Sequence, residues 1–195
     1  MNPTAPSPRW LAILLVASSL VGLVAATALT VDKLDLLRDP GAELSCDVSP
    51  LVGCGKGLES WQGSLLGFPN SIIGMAAWSA LLAVAVILLM RSQLSVWFWV
   101  GLTAALGAAL VLVVFLIAQS IYVLGVLCPW CLATWAVTIP AFLATALFTL
   151  SRFGRSHRGR AIGRAGVRWL PTTTLACFFV VALLAQVRLD VLSFL

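Results

Sequence analysis

The chain has 195 residues and a net charge of +5, with 61% hydrophobic and only 10% charged residues. So few charges cannot cover a soluble protein of this length, which excludes a water-soluble globule and points to an integral membrane protein of helical spans in contact with lipid. The basic excess sits in one short loop that membrane topology explains, so nucleic acid is not an expected partner.

Taken in order, uncharged apolar runs predict spans at about 10–30, 71–90, 96–122, 129–150 and 170–187. Each is near the ~20 residues that cross ~30 Å of hydrocarbon at ~1.5 Å per residue. The third opens with the aromatic cluster VWFW, the fourth contains Pro140, and the fifth is the shortest. Within the first run, Ala26-Thr27-Ala28 resembles a signal-peptidase site. The preceding n-region carries only Arg9 and the apolar run is long, so a retained span is the stronger reading. The whole reads as one membrane domain without internal repeats.

Charge orients the spans. Arg152, Arg155, Arg158, Arg160, Arg164 and Arg168 fall in the loop at about 151–169, which the positive-inside rule makes cytoplasmic. Asp32, Asp35, Asp39, Glu43, Asp47 and Glu59 fall in the loop at about 31–70, which span counting puts on the opposite face. The N-terminus and the link around Arg91 are then cytoplasmic. The long loop, the turn before Cys128 and the C-terminus are extracytoplasmic.

Of the five cysteines, Cys46, Cys54, Cys128 and Cys131 lie on that outer face, where thiols meet an oxidising compartment. Cys177, mid-span in the last helix, reads as an inert apolar filler. In CPWC (128–131), Pro129 suits the first turn of a helix, so Cys128 falls at the N-cap and Cys131 one turn along. Residues three apart are neighbours on a helix, so the two sulfurs can bond. Free N–H groups and the helix dipole favour a thiolate on Cys128, a good attacker and a good leaving group. A zinc site needs two close Cys pairs or added histidines. Here the second pair is C-x7-C, and the only histidine, His157, is on the opposite face. A CxxC ring is also a weak structural staple. Thiol–disulfide redox chemistry is therefore preferred, with a metal-binding membrane protein as the alternative.

A loop of this length is usually functional. Pro50, Gly53, Gly55 and Gly57 bend it, and LESWQGSLLGF (58–68) mixes apolar with polar residues. That stretch is suited to lie as an amphipathic lid over the helix bundle, since a solvated tether would not need Trp61, Leu65, Leu66 and Phe68. A mobile segment carrying Cys46 and Cys54 would pass a disulfide between CPWC and a soluble partner.

These residues together resemble a family. C-x7-C in the first outer loop, Ser60 soon after, PNSIIG leading into a span and CPWC opening a later one are similar to the vitamin K epoxide reductase family, in its bacterial form. The resemblance covers about residues 10–150. It implies an all-α membrane fold: a four-helix transmembrane bundle around a quinone, plus a fifth, peripheral helix. It implies that Cys131 faces the quinone, that Cys128 is its partner, that Cys54 exchanges with Cys128, and that Cys46 exchanges with a thioredoxin-fold protein. Asn70 matches the family's asparagine that hydrogen-bonds a quinone carbonyl, in addition to an N-cap role, and Ser60 the loop hydroxyl that supports the site. Where vertebrate members carry a tyrosine four residues after the second CxxC cysteine, this chain has Trp135, which offers no hydroxyl. Trp61, Phe68, Trp78 and Tyr122 complete the expected quinone-lining set, although Tyr122 and the Trp97/Trp99 pair also fit an interfacial aromatic belt. No thioredoxin-like domain follows the last span, so the expected redox partner is a separate DsbA-like protein. The expected activity is a quinone-dependent thiol–disulfide oxidoreductase of the bacterial plasma membrane. It would pass two electrons from that partner through Cys46/Cys54 and Cys128/Cys131 to menaquinone, ubiquinone or phylloquinone, and so support disulfide formation.

Overall fold

The computed structural model describes residues 4–6, 8–41, 44–47, 49, 51–90 and 92–189. Glu43, Pro50, Arg91 and the C-terminus, which entered the charge and loop readings, lie outside these residues.

Among the described residues, five helices are long and apolar enough to cross a membrane: α1 (Arg9–Arg38), α3 (Asn70–Leu89), α4 (Val96–Gln119), α5 (Pro129–Phe153) and α7 (Leu170–Leu189). The protein is a multi-pass, all-α membrane protein. Helix α1 packs on α3 and on α5, α5 also packs on α4, and α7 lies to one side against α5. Glycine makes the α1–α3 seam close. Any Cβ on Gly22 would overlap the Trp78 indole, and one on Gly74 would come to 3.3 Å from the Ala26 methyl. Small residues at a seam let membrane helices approach where no water exists to drive them together. The core runs through Leu11, Leu15, Trp78, Ala85, Trp99, Ala144 and Phe148. Several hydroxyls inside the spans bond the carbonyl one turn back, as Ser19 does to Leu15 (2.7 Å) and Thr138 to Thr134 (2.8 Å), which satisfies those donors in an apolar medium.

The elements differ from the sequence expectation in five places. First, α1 runs on to Arg38, two turns past the expected end at residue 30, because Leu36 packs on the cysteine cluster and gives the extension an apolar contact. Secondly, the outer loop contains a short helix, α2 (Gly55–Glu59), and a 3-10 turn (Trp61–Ser64). Thirdly, α4 ends in a π-helical turn (Ser120–Leu124), closed by Gly125 at φ 65°. Fourthly, the arginine-rich loop folds into α6 (His157–Arg168). Its Gly163 and Gly166 rest on Leu147 and Ser151 of α5, while Arg158, Arg164 and Arg168 face outward. Fifthly, Trp99 is fully buried with its ring 4.6 Å from that of Phe148, so it belongs to the core and not to an interfacial belt; Trp97 is exposed.

Two strands of three residues, β1 (Thr4–Pro6) and β2 (Gln93–Ser95), pair antiparallel. They join the start of α1 to the α3–α4 link, and so hold the N-terminal segment at the end of the bundle opposite the cysteines. Cys177 lies on the exposed face of α7, which in a membrane is the lipid side.

Candidate active site

The site begins with α1. Its extension takes Asp32, expected in the outer loop, into the helix and buries it, at 4% exposure, under residues 44–46. There the carboxylate accepts from Ser45 twice, from the backbone N–H (3.3 Å) and from the hydroxyl (2.9 Å). Its second oxygen also lies 3.4 Å from the Cys46 sulfur. The Ser45 hydroxyl oxygen in turn accepts from the Trp130 indole N–H at 3.2 Å, so the loop is clasped to the middle of CPWC.

Further along, the loop folds back on itself. Ser49 and Val52 exchange two backbone bonds of 3.0 Å. The next residues lie parallel to the strand-like approach to α5: Leu127 donates to Leu51 (2.9 Å) and accepts from Gly53 (3.2 Å). The Asp47 carboxylate accepts from the Cys54 N–H at 2.9 Å. These bonds bring Cys54 to Cys128, 74 positions away in sequence.

Cys46 and Cys54 form a disulfide, whereas Cys128 and Cys131 are free thiols. The Cys128 sulfur sits 2.8 Å from that of Cys54. All of Cys46, Cys54 and Cys128 are nearly fully buried, with Leu29, Leu36, Leu44, Leu58 and Trp130 around them. The three sulfurs are close enough together for a metal. Two of them are bonded to each other, however, and a disulfide offers no thiolate, so the arrangement is one of sulfur exchange.

CPWC opens α5 as its residue order implies. Cys128 is the N-cap, Pro129 the first helical residue, and the Cys128 sulfur accepts from the Cys131 N–H at 3.4 Å. The Cys128 thiol is held below the ordinary thiol range, chiefly by a hydrogen bond from the Cys131 side chain and further by the N–H groups of Cys131 and Trp130. Burial and the Asp32 charge push the other way without prevailing. Cys131 touches two clusters. One holds the other three cysteines; the other is purely apolar, formed by Val113, Ile117, Ile121, Leu127, Trp135 and Ala185.

The lid covers the neighbouring helix ends. Gln62, buried in the 3-10 turn, donates to Gln119 at the end of α4 (3.0 Å), and Trp61 lies against Phe115 with ring centroids 6.4 Å apart. Asn70 is the first residue of α3 and not its N-cap, a position held by Pro69. Its side chain turns back to the lid, accepting from the Leu65 N–H (3.0 Å) and donating to the Gln62 carbonyl (2.6 Å). The Ser60 hydroxyl donates to Gly57 within the loop (2.7 Å).

The structure therefore brings together the four cysteines, with Trp135 beside Cys131. Asn70, Ser60, Trp61 and Phe68 form the lid and its hinge, with Trp61 and Phe68 exposed. Tyr122 is exposed near Arg188 of α7, its ring centroid 6.0 Å from the guanidinium carbon. Trp78 stands apart, in the α1–α3 core over Gly22. Sequence reasoning missed Asp32, Ser45, Asp47, Gln62 and Gln119 as members of the site. It also missed Ser71, whose hydroxyl is buried beside Asn70 without a protein partner among the described residues. An acid set directly against an apolar run was the available signal for Asp32; the assumed helix end concealed it.

A family model described as "Vitamin K epoxide reductase family" matches residues 13–146, more than half of the chain and all four clustered cysteines. No curated protein matches the chain.

Proposed function

The chain belongs to the vitamin K epoxide reductase family, and from that premise we propose that it carries two electrons from a reduced, separate thioredoxin-fold (DsbA-like) protein to a membrane quinone. Family membership makes the protein a membrane oxidoreductase. The observation that carries the finer reading is the 2.8 Å approach of the Cys128 sulfur to the Cys46–Cys54 disulfide.

On this reading a partner thiolate attacks Cys46. Cys46 is only 3% exposed, so the segment 44–47 must first lift off Asp32 and Trp130. The partner leaves oxidised, and Cys46 and Cys54 are left as thiols. Cys54 then attacks Cys128 of a Cys128–Cys131 disulfide, forming Cys54–Cys128 and freeing Cys131. Cys46 attacks Cys54, restores the loop disulfide and expels Cys128 as a thiolate. A closed loop disulfide beside a reduced CPWC is the pairing that this step would leave.

A quinone supplies a two-electron acceptor, which returns Cys128 and Cys131 to the disulfide. The residues fit such a group on the apolar side of Cys131. Trp135, Ile117 and Ile121 give an apolar wall. Ser71 has a hydroxyl without a protein partner, and an amide nitrogen carries two hydrogens, of which Asn70 spends one on Gln62. Trp61 joins the lid to Phe115 of α4, while Phe68 and Tyr122 are exposed. We place the arginine-rich end in the cytoplasm and the cysteine end outside the plasma membrane, following the positive-inside rule.

Anaerobic mixing of the purified protein with a reduced thioredoxin-fold oxidase and a short-tailed quinone tests the reading by quinone absorbance. Quinone reduction is expected in the wild type and is expected to stop in Cys131→Ser. Normal quinone turnover in that variant overturns the relay.

A further inference from the structure

Asp32 has no part in the steps above, yet it is the one buried carboxylate among the described residues and it touches a reacting sulfur. A buried charge is costly unless it is held or used. Ser45 holds it, with two hydrogen bonds. Holding the loop needs only those two bonds, and an amide would serve as well. The contact with Cys46 is additional: Oδ2, which accepts from the Ser45 hydroxyl, also faces that sulfur. In the disulfide that sulfur carries no proton; once reduced, it is a thiol with a proton acceptor already 3.4 Å away.

We propose that Asp32 is a catalytic residue, the general base that takes the Cys46 proton as Cys46 attacks Cys54. The inference rests on the relay reading and deepens it. The step balances: the Cys46 thiol, the Cys54–Cys128 disulfide and the Asp32 carboxylate become the Cys46–Cys54 disulfide, the Cys128 thiolate and the protonated Asp32. One S–S bond forms and one breaks, no net oxidation occurs, and the proton stays at Asp32 until the loop opens to solvent. The Ser45 hydroxyl fixes the carboxylate, and Trp130 fixes Ser45, so opening of CPWC and placement of the base are mechanically joined. In the reverse direction the same acid protonates Cys46 as it leaves.

The titratable groups facing Asp32 are Cys46 from the loop and Cys128 from the start of α5. Its neighbours on α1 turn elsewhere: Lys33 donates to the Leu58 carbonyl, and Asp35 pairs with Arg38 at the surface.

The test uses the full chain, fully reduced in detergent, mixed anaerobically with a short-tailed quinone, acid-quenched at intervals and alkylated. Mass spectrometry then follows the Cys54–Cys128 disulfide. Cys46→Ser removes the attacker and is expected to accumulate that disulfide. If it does not, the relay itself fails. Given that accumulation, Asp32→Asn is expected to slow the decay of Cys54–Cys128 roughly 100-fold near neutral pH, the low end of general-base contributions. The deficit should shrink as pH rises and Cys46 ionises unaided. Ser45→Ala, which loosens the carboxylate but keeps it, should slow decay by less than Asp32→Asn and retain the wild-type pH profile. Wild-type decay in Asp32→Asn at every pH overturns the assignment. So does a deficit that is independent of pH, or a Ser45→Ala profile identical to that of Asp32→Asn, since either marks an anchor and not a base.

Discussion

Asn70→Ala is the most direct probe of the lid. The side chain joins the first turn of α3 to two backbone groups of the lid, the Leu65 N–H at 3.0 Å and the Gln62 carbonyl at 2.6 Å. Each neutral bond contributes about 1 kcal/mol net, so their loss removes about 2 kcal/mol from the closed lid. At ~1.4 kcal/mol per tenfold, that is about a 30-fold rise in the open-to-closed ratio. Amide hydrogen exchange reads this at one position, because the Leu65 N–H is the group released. Its exchange should quicken by about 30-fold, while exchange along the middle of α3 stays unchanged. Asn70→Asp keeps an acceptor for Leu65 and loses the donor to Gln62, so its effect should be intermediate. Exchange at Leu65 within about threefold of wild type in Asn70→Ala would refute the clasp. A quinone KM raised without faster Leu65 exchange would then assign the side chain to the ligand alone.

Two further perturbations address the cysteine cluster. In Gly53→Ala the new Cβ falls 2.6 Å from the Asp47 carboxylate oxygen that holds the Cys54 N–H. Loss of that bond to a carboxylate, at about 1.5 kcal/mol, should make the loop disulfide roughly tenfold easier to reduce in a glutathione buffer, and an unchanged ratio would count against the Asp47 contact. With the loop closed, the depressed Cys128 thiol should keep reacting with iodoacetamide as pH falls below the ordinary thiol range, slowing only as pH passes through the lowered value. Cys131→Ala removes the largest cause of the depression and should move that midpoint upward; a midpoint that stays put would mean the backbone N–H groups suffice.

Much of this architecture is legible in sequence because membrane constraints act residue by residue. A span must be apolar over its whole length, and a helix that starts with Cys-Pro leaves Cys128 at the cap, so the five spans and the local geometry of CPWC follow from short-range rules. What sequence conceals depends on who faces whom. Trp99 reads as a belt residue until Phe148 is set against it. Asp32 reads as a solvated loop acid until Ser45 and Cys46 are folded over it. The arginine-rich connection reads as a loop, because its helical form depends on two glycines that fit α5. Asn70 shows its identity but not its direction. A helix-start asparagine is usually a cap, and here Pro69 holds that position and frees the amide to turn toward the lid.

The extension of α1 and the start of α5 together account for the placement of charge in the cluster. A carboxylate buried near Cys128 opposes a second negative charge there, and burial opposes it again. Three donors outweigh both: the Cys131 thiol and the N–H groups of Cys131 and Trp130. Because the strongest of the three is the Cys131 thiol, the lowering at Cys128 depends on both cysteines of CPWC together. Moving either cysteine off the helix start would undo it. Asp32 sits on the other side of the same disulfide, against Cys46 and away from the apolar cluster that Cys131 touches. On the proposed relay, proton acceptance at Asp32 therefore falls at the loop disulfide, where Cys46 and Cys54 exchange, and not on the apolar side of Cys131.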